Sequence, residues 1–495
     1  MTTPPSYGST PSTPPPSGMT PTPRRRRRRH THAPGASVLS SFSNLANTII
    51  GSGALAFPAA FASMGMIPGI VSCLVSATTA AFGLWLLSRC ATVVGVRPGD
   101  EGRKASFNEV ARLAFGKGWV TRVFDLAIAI KCFGVSVSYL IICKTLLPQV
   151  SVTFAHLFHT KIPDGSFLLS QTFWLLATAP VVVPLSFMRT LDSLRFTSQI
   201  ALSSVAYMVI VVIGWYFIKG PDPNRGEVVL ARFGPNTLAA FPVQVFAFTC
   251  AQNLFPIYNE LKDRTQQKMN LVIGSSIYGA AAVYEVLGIV GYLTFGSKVS
   301  SNVISMYPAE SFVVAIGRLG IVFLVGLSYP LQALPCRSCI YLLTSGIIKG
   351  KKHKPVPAPV DYESEEDSDE SSLLGNENDM LVPKVGDAAH GPSATEMPAK
   401  KFVGFTIGIV VAGYTIAWLV DELDVVLGFV GSTGSTIISF ILPGFFYFRL
   451  FRNEPGHTKW LALALGVYGV IVMTFCLTFN ILNLKTGPGK KDVPV

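Results

Sequence analysis

Charge is what this sequence has least of. Only 14% of its 495 residues are Asp, Glu, Lys or Arg, and 49% are hydrophobic; a soluble protein carries about a quarter charged residues. Glycosylation sequons of the form Asn-x-Ser/Thr are absent. The eight cysteines are scattered and lie almost entirely inside apolar stretches, so no disulfide framework is implied. Cys336 and Cys339 form a Cys-x-x-Cys, but Pro335 and Arg337 put it at a helix end, away from redox or zinc chemistry. No nucleophile–base pair and no metal-ligand spacing stands out, so nothing points to an enzyme, a metal or a bound cofactor. Polar sequence follows Met1, and no cleavable signal peptide is expected.

What the chain has instead is apolar blocks of about 20 residues or more, the length a helix needs to span roughly 30 Å of hydrocarbon. The fold class is therefore an all-α polytopic membrane protein. Eleven transmembrane helices are read, at 38–61, 65–90, 120–147, 167–187, 196–218, 237–258, 271–295, 311–340, 402–420, 425–448 and 460–484. Residues 106–115 carry Phe107, Val110, Leu113 and Ala114 at helical spacing, which predicts a short amphipathic helix on the cytosolic face. In domain terms, 1–37 is a disordered cytosolic tail, 38–345 holds helices 1–8, 346–401 is a disordered cytosolic acidic insert, 402–484 holds helices 9–11, and 485–495 is a luminal tail. The net charge of +12, half of it in Arg24–Arg29, needs no nucleic acid. Basic residues concentrate on the side that an N-terminus in the cytosol assigns to the cytosol, as the positive-inside rule requires.

The first span is unusual. Residues 43–58 include Asn44, Asn47, the triplet Gly51-Ser52-Gly53 and Pro58. Such residues are tolerated in a membrane helix where freed backbone groups find partners or line a cavity. The triplet fits a loose Gly-x-Gly-x-x-Ala, but a dinucleotide site needs a preceding β-strand, and here the surroundings are a hydrophobic helix. Helix 1 is read as unwinding at Gly51–Gly53, where mid-membrane amides and carbonyls can hold a small zwitterion. The alternative is a plain helix with packing glycines. Helix 6 has a matching interruption, Phe-Thr-Cys-Ala-Gln-Asn-Leu-Phe-Pro at 248–256. Two breaks at corresponding places indicate an inverted-repeat transporter with its site between them. In span ten, Gly431 to Thr436 reads Gly-Ser-Thr-Gly-Ser-Thr, a small-residue face for close helix contact.

Residues 44–58 resemble the first helix of the amino acid/auxin permease family, and within it the fungal vacuolar amino acid transporters. Further likeness lies in 124–140, 259–269 (Asn-Glu-Leu-Lys-Asp-Arg-Thr), 291–308 (Gly-Tyr-Leu-Thr-Phe-Gly, then Tyr-Pro) and 328–337 (Ser-Tyr-Pro-Leu-Gln). The resemblance implies a five-plus-five inverted repeat with helices 1 and 6 broken and one extra helix. It implies amino acid transport, coupled in the vacuolar branch to protons and in mammalian relatives to sodium. Two departures stand out: Ala251 replaces a common His in the sixth helix, and Cys143-Lys144 replaces Gly-Asp after the third.

The substrate-binding candidates are Asn47, Thr48, Gly51, Ser52, Gly53, Thr249, Cys250, Ala251 and Gln252. Gly51 to Gly53 offer donors to a carboxylate at the positive end of a half-helix, and residues 249–251 offer carbonyls to an ammonium group. Asn47 matches a position linked to the coupling ion in sodium-dependent relatives, and Ser328 lies near where such relatives place a second ligand. Glu285 and Lys131 are ionisable groups deep in spans seven and three, and such groups are functional candidates by default. They are read either as the proton-coupling machinery or as a static pair. Asp369 with Leu373-Leu374 in the acidic insert fits a dileucine sorting signal for a cytosolic sorting adaptor. The resulting expectation is a proton-coupled amino acid transporter of the vacuolar membrane, its partners the amino acid and lipid. Sodium-coupled uptake of neutral amino acids at the plasma membrane, and an amino acid sensor signalling through the cytosolic segments, are the alternatives.

Overall fold

The computed structural model describes residues 37–94, 104–116, 118–160, 162–163, 165–188, 197–232, 234–262, 264–348 and 397–486. The Arg run, the acidic insert and the sorting residues Asp369, Leu373 and Leu374 lie outside them.

The described chain is helical. Ser37 caps α1 (Val38–Ile49) by accepting from the Ser40 amide at 3.2 Å, satisfying a donor the first turn leaves open. After a break at 50–52 comes α2 (Gly53–Met64), and the two axes differ by 53°. Gly65 ends α2 at φ 87°, and a Cβ there would lie 2.7 Å from the Ala231 Cα. Only glycine suits that conformation and that space. Then follow α3 (Met66–Ala91), the short α4 (Phe107–Phe115) and α5 (Trp119–Leu157). As its apolar spacing predicts, α4 presents Phe107, Val110 and Ala114 inward, but the fourth buried position is Ala111 and the expected Leu113 is only half-buried. Ser106 caps it, and Arg112 pairs with Glu109 at 2.5 Å. Phe107 packs between Phe124 of α5 (4.3 Å between centroids) and Phe255 (4.5 Å).

The middle of the chain holds α6 (Gln171–Ala177), α7 (Ala179–Ser186), α8 (Thr197–Lys219), α9 (Pro235–Ala247) and α10 (Leu254–Glu260). It continues with α11 (Gln266–Phe295) and α12 (Phe312–Ile348). The last part is α13 (Ala399–Leu419), α14 (Leu423–Val430), α15 (Leu442–Leu450) and α16 (Thr458–Thr486). Two π-helical segments, Gly431–Ser435 and Ile437–Ile441, join α14 to α15.

Among the described residues, eight helices are long and apolar enough to cross a membrane, or up to nine if α1 and α2 form one bent span. Two of the expected crossings differ from a single long helix. Residues 167–187 form a 3-10 turn followed by α6 and α7, an apolar run of only Gln171–Ser186. Pro180 explains the interruption at Thr178, since it supplies no amide to the preceding turn. The other is 235–260, where α9 and α10 are separated by the second break. In the opposite direction, α5 runs 39 residues, past the expected end at 147 and through Pro148. Its outer turns are held by Gln149 Nε2 to Ser305 O at 2.9 Å and by Thr153 Oγ1 to Ala309 O.

α5 is the axis of the bundle: 83% of its most apolar window is buried inside the protein, against 33% for α16, which faces outward. The small residues of the π-helical segment let it approach α5 and α9. A Cβ on Gly434 would lie 2.6 Å from Ala127 O, and one on Gly431 would collide with Pro242 O. The close-contact reading of that stretch therefore holds.

Candidate functional site

The two breaks meet in the interior, between α5, α11 and the π-helical segment. At the first, the Ile50 amide still donates to Ala46 O (2.8 Å) and Gly51 N to Ile49 O (2.9 Å). The chain re-enters a helix with Ala54 N to Gly51 O at 3.2 Å. Among the described residues, no backbone carbonyl accepts from Ser52 or Gly53. At the second break, Thr249 N donates to Phe246 O (3.0 Å), and a 3-10 turn, Ala251–Asn253, closes with Asn253 N to Cys250 O at 3.0 Å.

Three cross-links hold the breaks in register. Asn253 Nδ2 donates to Thr48 Oγ1 at 2.7 Å, joining the second break to α1. Ser138 of α5 donates to Ser52 Oγ at 3.2 Å. Tyr284 of α11 places its hydroxyl 2.6 Å from Ile49 O and 3.1 Å from Ala247 O. Those are end carbonyls of α1 and α9, groups a helix C-terminus leaves without an intrahelical donor. One fully buried phenol thus spans both interruptions, and its ring stacks on Phe57 (4.3 Å) and meets Phe248 edge-on (5.2 Å).

The candidates of the sequence divide accordingly. The hydroxyl of Thr48 is engaged with Asn44 O and Asn253, and that of Thr249 with Val245 O and Ser439. Gly51 leaves room: a Cβ there would meet only Tyr139 Oη at 3.9 Å. Gly53 does not, because a Cβ would lie 2.7 Å from Ala247 Cβ and 2.9 Å from its Cα. Its smallness serves the contact of α2 with α9, so the packing-glycine reading applies to Gly53 even though the helix is broken. Cys250, Ala251 and Gln252 are buried, and both polar atoms of the Gln252 side chain are buried without a partner. A buried primary amide left unpaired is destabilising, so a ligand's polar group suits that position. Asn47 sits half-buried on α1, one turn before Gly51. Ser328 is half-buried on α12 and makes no hydrogen bond among the described residues.

Lys131 belongs to this region. It is 3% exposed, and Cys250 of the second break is its neighbour. Glu285 does not meet it. Tyr284 faces the breaks, and the next residue, about 100° further round α11, turns instead toward Cys73 of α3. Both Glu285 carboxyl oxygens are buried without a hydrogen-bond partner. The static Glu285–Lys131 pair is therefore corrected: the two groups serve separate places.

Lys144, the basic departure at the outer part of α5, has a structural explanation. Its ammonium donates to Ala417 O (2.5 Å), Val420 O (2.9 Å) and Asp421 Oδ1 (2.9 Å), capping the end of α13. Tyr284, Ser138 and Asn253 were missed from sequence. The available signal was weak: an aromatic hydroxyl and small hydroxyls inside spans, which are as often packing groups. Among the described residues, no cluster of His, Cys, Asp and Glu suits a metal ion.

The profile of the family described as "Transmembrane amino acid transporter protein" matches residues 34–483. Vacuolar amino acid transporter 5 of Schizosaccharomyces pombe is 36% identical over 466 residues, covering 92% of this chain and 96% of the relative. Vacuolar amino acid transporters 6 and 5 of Saccharomyces cerevisiae are 34% and 32% identical, each over 90% of this chain and 98% and 97% of their own lengths. Among solved structures, MhsT in complex with L-phenylalanine superposes with a TM-score of 0.51 at 12% identity, over 90% of this chain and 99% of that one. MHP1, a nucleobase-cation-symport-1 family transporter in a closed conformation with bromovinylhydantoin bound, also has a TM-score of 0.51, at 13% identity over 92% and 91%. These two likenesses concern the fold.

Proposed function

Since the chain belongs to the transmembrane amino acid transporter protein family, we propose that it is a secondary active transporter that moves amino acids across the vacuolar membrane in symport with protons. The carrying observation is the junction of two broken helices with unspent hydrogen-bonding capacity: the Ser52 and Gly53 amides on one side and the unpartnered Gln252 on the other. The substrate carboxylate would take the amides at the positive end of α2. The ammonium group would take carbonyls of 249–251, and Gln252 would bind whatever polar atom remains. The names of the fungal relatives support the substrate class and the membrane.

In this reading the broken pair α9–α10 and the apolar run Gln171–Ser186 also cross, giving eleven helices with the N-terminus cytosolic and the C-terminus luminal. The two breaks would sit in matching helices of a five-plus-five inverted repeat, and alternating access would come from one repeat rocking against the other. Glu285 is the proposed proton carrier: a buried carboxyl with no charged partner among the described residues, facing the Cys73 thiol, can gain and lose a proton without dismantling an ion pair. One pH unit supplies about 1.4 kcal/mol, and each 100 mV about 2.3 kcal/mol per charge. Asp369, Leu373 and Leu374 would engage a cytosolic adaptor that delivers the protein to the vacuole.

The test is uptake of labelled amino acids into proteoliposomes holding the purified protein. Accumulation should follow an imposed pH gradient and collapse with a protonophore. Accumulation driven by sodium alone would select the sodium-coupled reading, and saturable binding without flux would select the sensor.

A further inference from the structure

Away from the breaks, the ends of α3, α11, α15 and α16 enclose a polar cleft of about 350 Å³. Arg89 and Lys459 line it with Gln266, Tyr447 and Glu454. A second hollow of about 360 Å³ adjoins it and shares Trp85 and Asn270. This one is apolar, and it follows the seam of α3 and α11 past Phe82 and Ile273 to Thr78 and Tyr278. We infer that the two hollows form one binding site for a membrane glycerophospholipid, with the phosphate at Arg89 and Lys459 and an acyl chain in the seam. On the proposed orientation, this is a lipid of the cytosolic leaflet.

Length argues for a lipid. Thr78 to Arg89 on α3, and Gln266 to Tyr278 on α11, each rise roughly 16–18 Å at about 1.5 Å per residue. Half of a hydrocarbon core of about 30 Å is about 15 Å. The furrow therefore runs from the headgroup level to near the midplane, one leaflet deep. Its floor is open at Gly274, where a Cβ would meet nothing within 4 Å.

The polar end is matched to a phosphodiester. Arg89 makes no ion pair among the described residues; its guanidinium lies 5.9 Å from the Phe451 ring. Lys459 spends two donors on Arg452 O and Glu454 O, both at 3.1 Å, which leaves a third of an ammonium's three. The Gln266 amide nitrogen donates to Ser88 Oγ (2.7 Å) and Asn270 Oδ1 (2.8 Å), while its Oε1 is buried and accepts nothing. That acceptor, and the Glu454 carboxylate that also lines the cleft, call for a headgroup with donors of its own. Serine or ethanolamine supplies an ammonium; choline has no donor.

The experiment is native mass spectrometry and thermal melting of the detergent-purified full chain, titrated with phosphatidylserine, phosphatidylethanolamine or phosphatidylcholine of identical acyl chains. Glycerophosphoserine serves as the headgroup without a tail. The wild type should retain one serine or ethanolamine lipid and melt higher with it. Arg89→Gln combined with Lys459→Gln should weaken retention about tenfold or more, the worth of a charge-assisted bond. Gly274→Phe, which fills the furrow from open space, should weaken it with the basic residues intact. Both variants should melt like the lipid-free wild type without lipid, which separates lost binding from lost folding. Equal retention by the wild type and Gly274→Phe would overturn the acyl-chain site, and glycerophosphoserine binding as tightly as the lipid would reduce it to a small-anion site. Choline lipid binding as tightly as ethanolamine lipid would overturn the headgroup assignment.

Discussion

The two breaks read alike in sequence and differ in space. The first is short, and its neighbouring amides are largely satisfied by local carbonyls. Its second glycine is pressed against Ala247. The second break is longer, contains a 3-10 turn, and leaves a whole side-chain amide without a partner at Gln252. The glycine-made break sets how closely the half-helices approach and leaves only backbone amides, at Ser52 and Gly53, without a carbonyl, whereas the polar break leaves a side chain unpartnered. A glycine triplet in a membrane helix thus marks where the backbone can bend, and says little about which break contributes side chains to a ligand.

The sharpest way to break this comparison is at the glycines. Gly53→Val drives a side chain into the Ala247 backbone, which cannot rotate away as a side chain could. The expected loss is about 3 kcal/mol or more, seen as failure to purify as a monodisperse protein. Gly51→Ala enters open space and should fold within about 1 kcal/mol of the wild type while weakening substrate binding. Equal stability of the two would show that packing does not distinguish the glycines.

Tyr284→Phe removes the one hydroxyl shared by both breaks and keeps the stacked ring. Stranding carbonyls on either side should cost about 1–3 kcal/mol and sharply reduce uptake. Retained stability and uptake would mean that the breaks need no bridge.

Gln252→Leu inverts the usual expectation. A buried amide without partners is replaced by an apolar group of similar size, so stability without substrate should be unchanged or rise by about 1 kcal/mol. Substrate affinity should fall, and unaltered affinity would remove the second break from recognition.

Glu285→Gln should leave stability within about 1 kcal/mol, because no ion pair is broken. It should abolish uptake driven by a pH gradient while exchange of internal for external substrate persists. A pH dependence like that of the wild type would end the coupling role. Smallest of all is Asp421→Asn. Its side chain is 80% exposed, and Lys144 keeps two carbonyl acceptors. A change of about 0.5 kcal/mol or less is expected in thermal unfolding.

The long helices were legible because a membrane span must be apolar for its whole length and must bond its backbone internally, which writes it directly into the sequence. The bend of the first span was legible from Gly51, Gly53 and Pro58 together with the matching interruption at 248–256, although Gly53 by itself serves packing against Ala247. The stretch at 167–187 was legible as an apolar run, but its division at Thr178 into α6 and α7 was not, because periodicity does not show where Pro180 withholds an amide from the turn before it. The outer extension of α5 escaped notice because its support comes from Ser305 and Ala309, residues about 156 positions away.

The site shows the same divide. Residue chemistry alone marked Gln252, Lys131 and Glu285, because a polar group inside a bilayer is expensive wherever it points. Periodicity could not say what each would face. One step along α11 separates Tyr284, which joins the breaks, from Glu285, which turns to α3. Thirteen positions along α5, counted from 131 to 144, separate a lysine beside the second break from one that caps α13. The sequence by itself determined that this is a helical membrane protein with two interrupted spans and a few buried polar groups, because solvation by lipid constrains every residue of a span. Which of those groups are spent on holding helices together, and which stay free, was decided only by tertiary structure, because a hydrogen bond exists only when both partners arrive within about 3 Å.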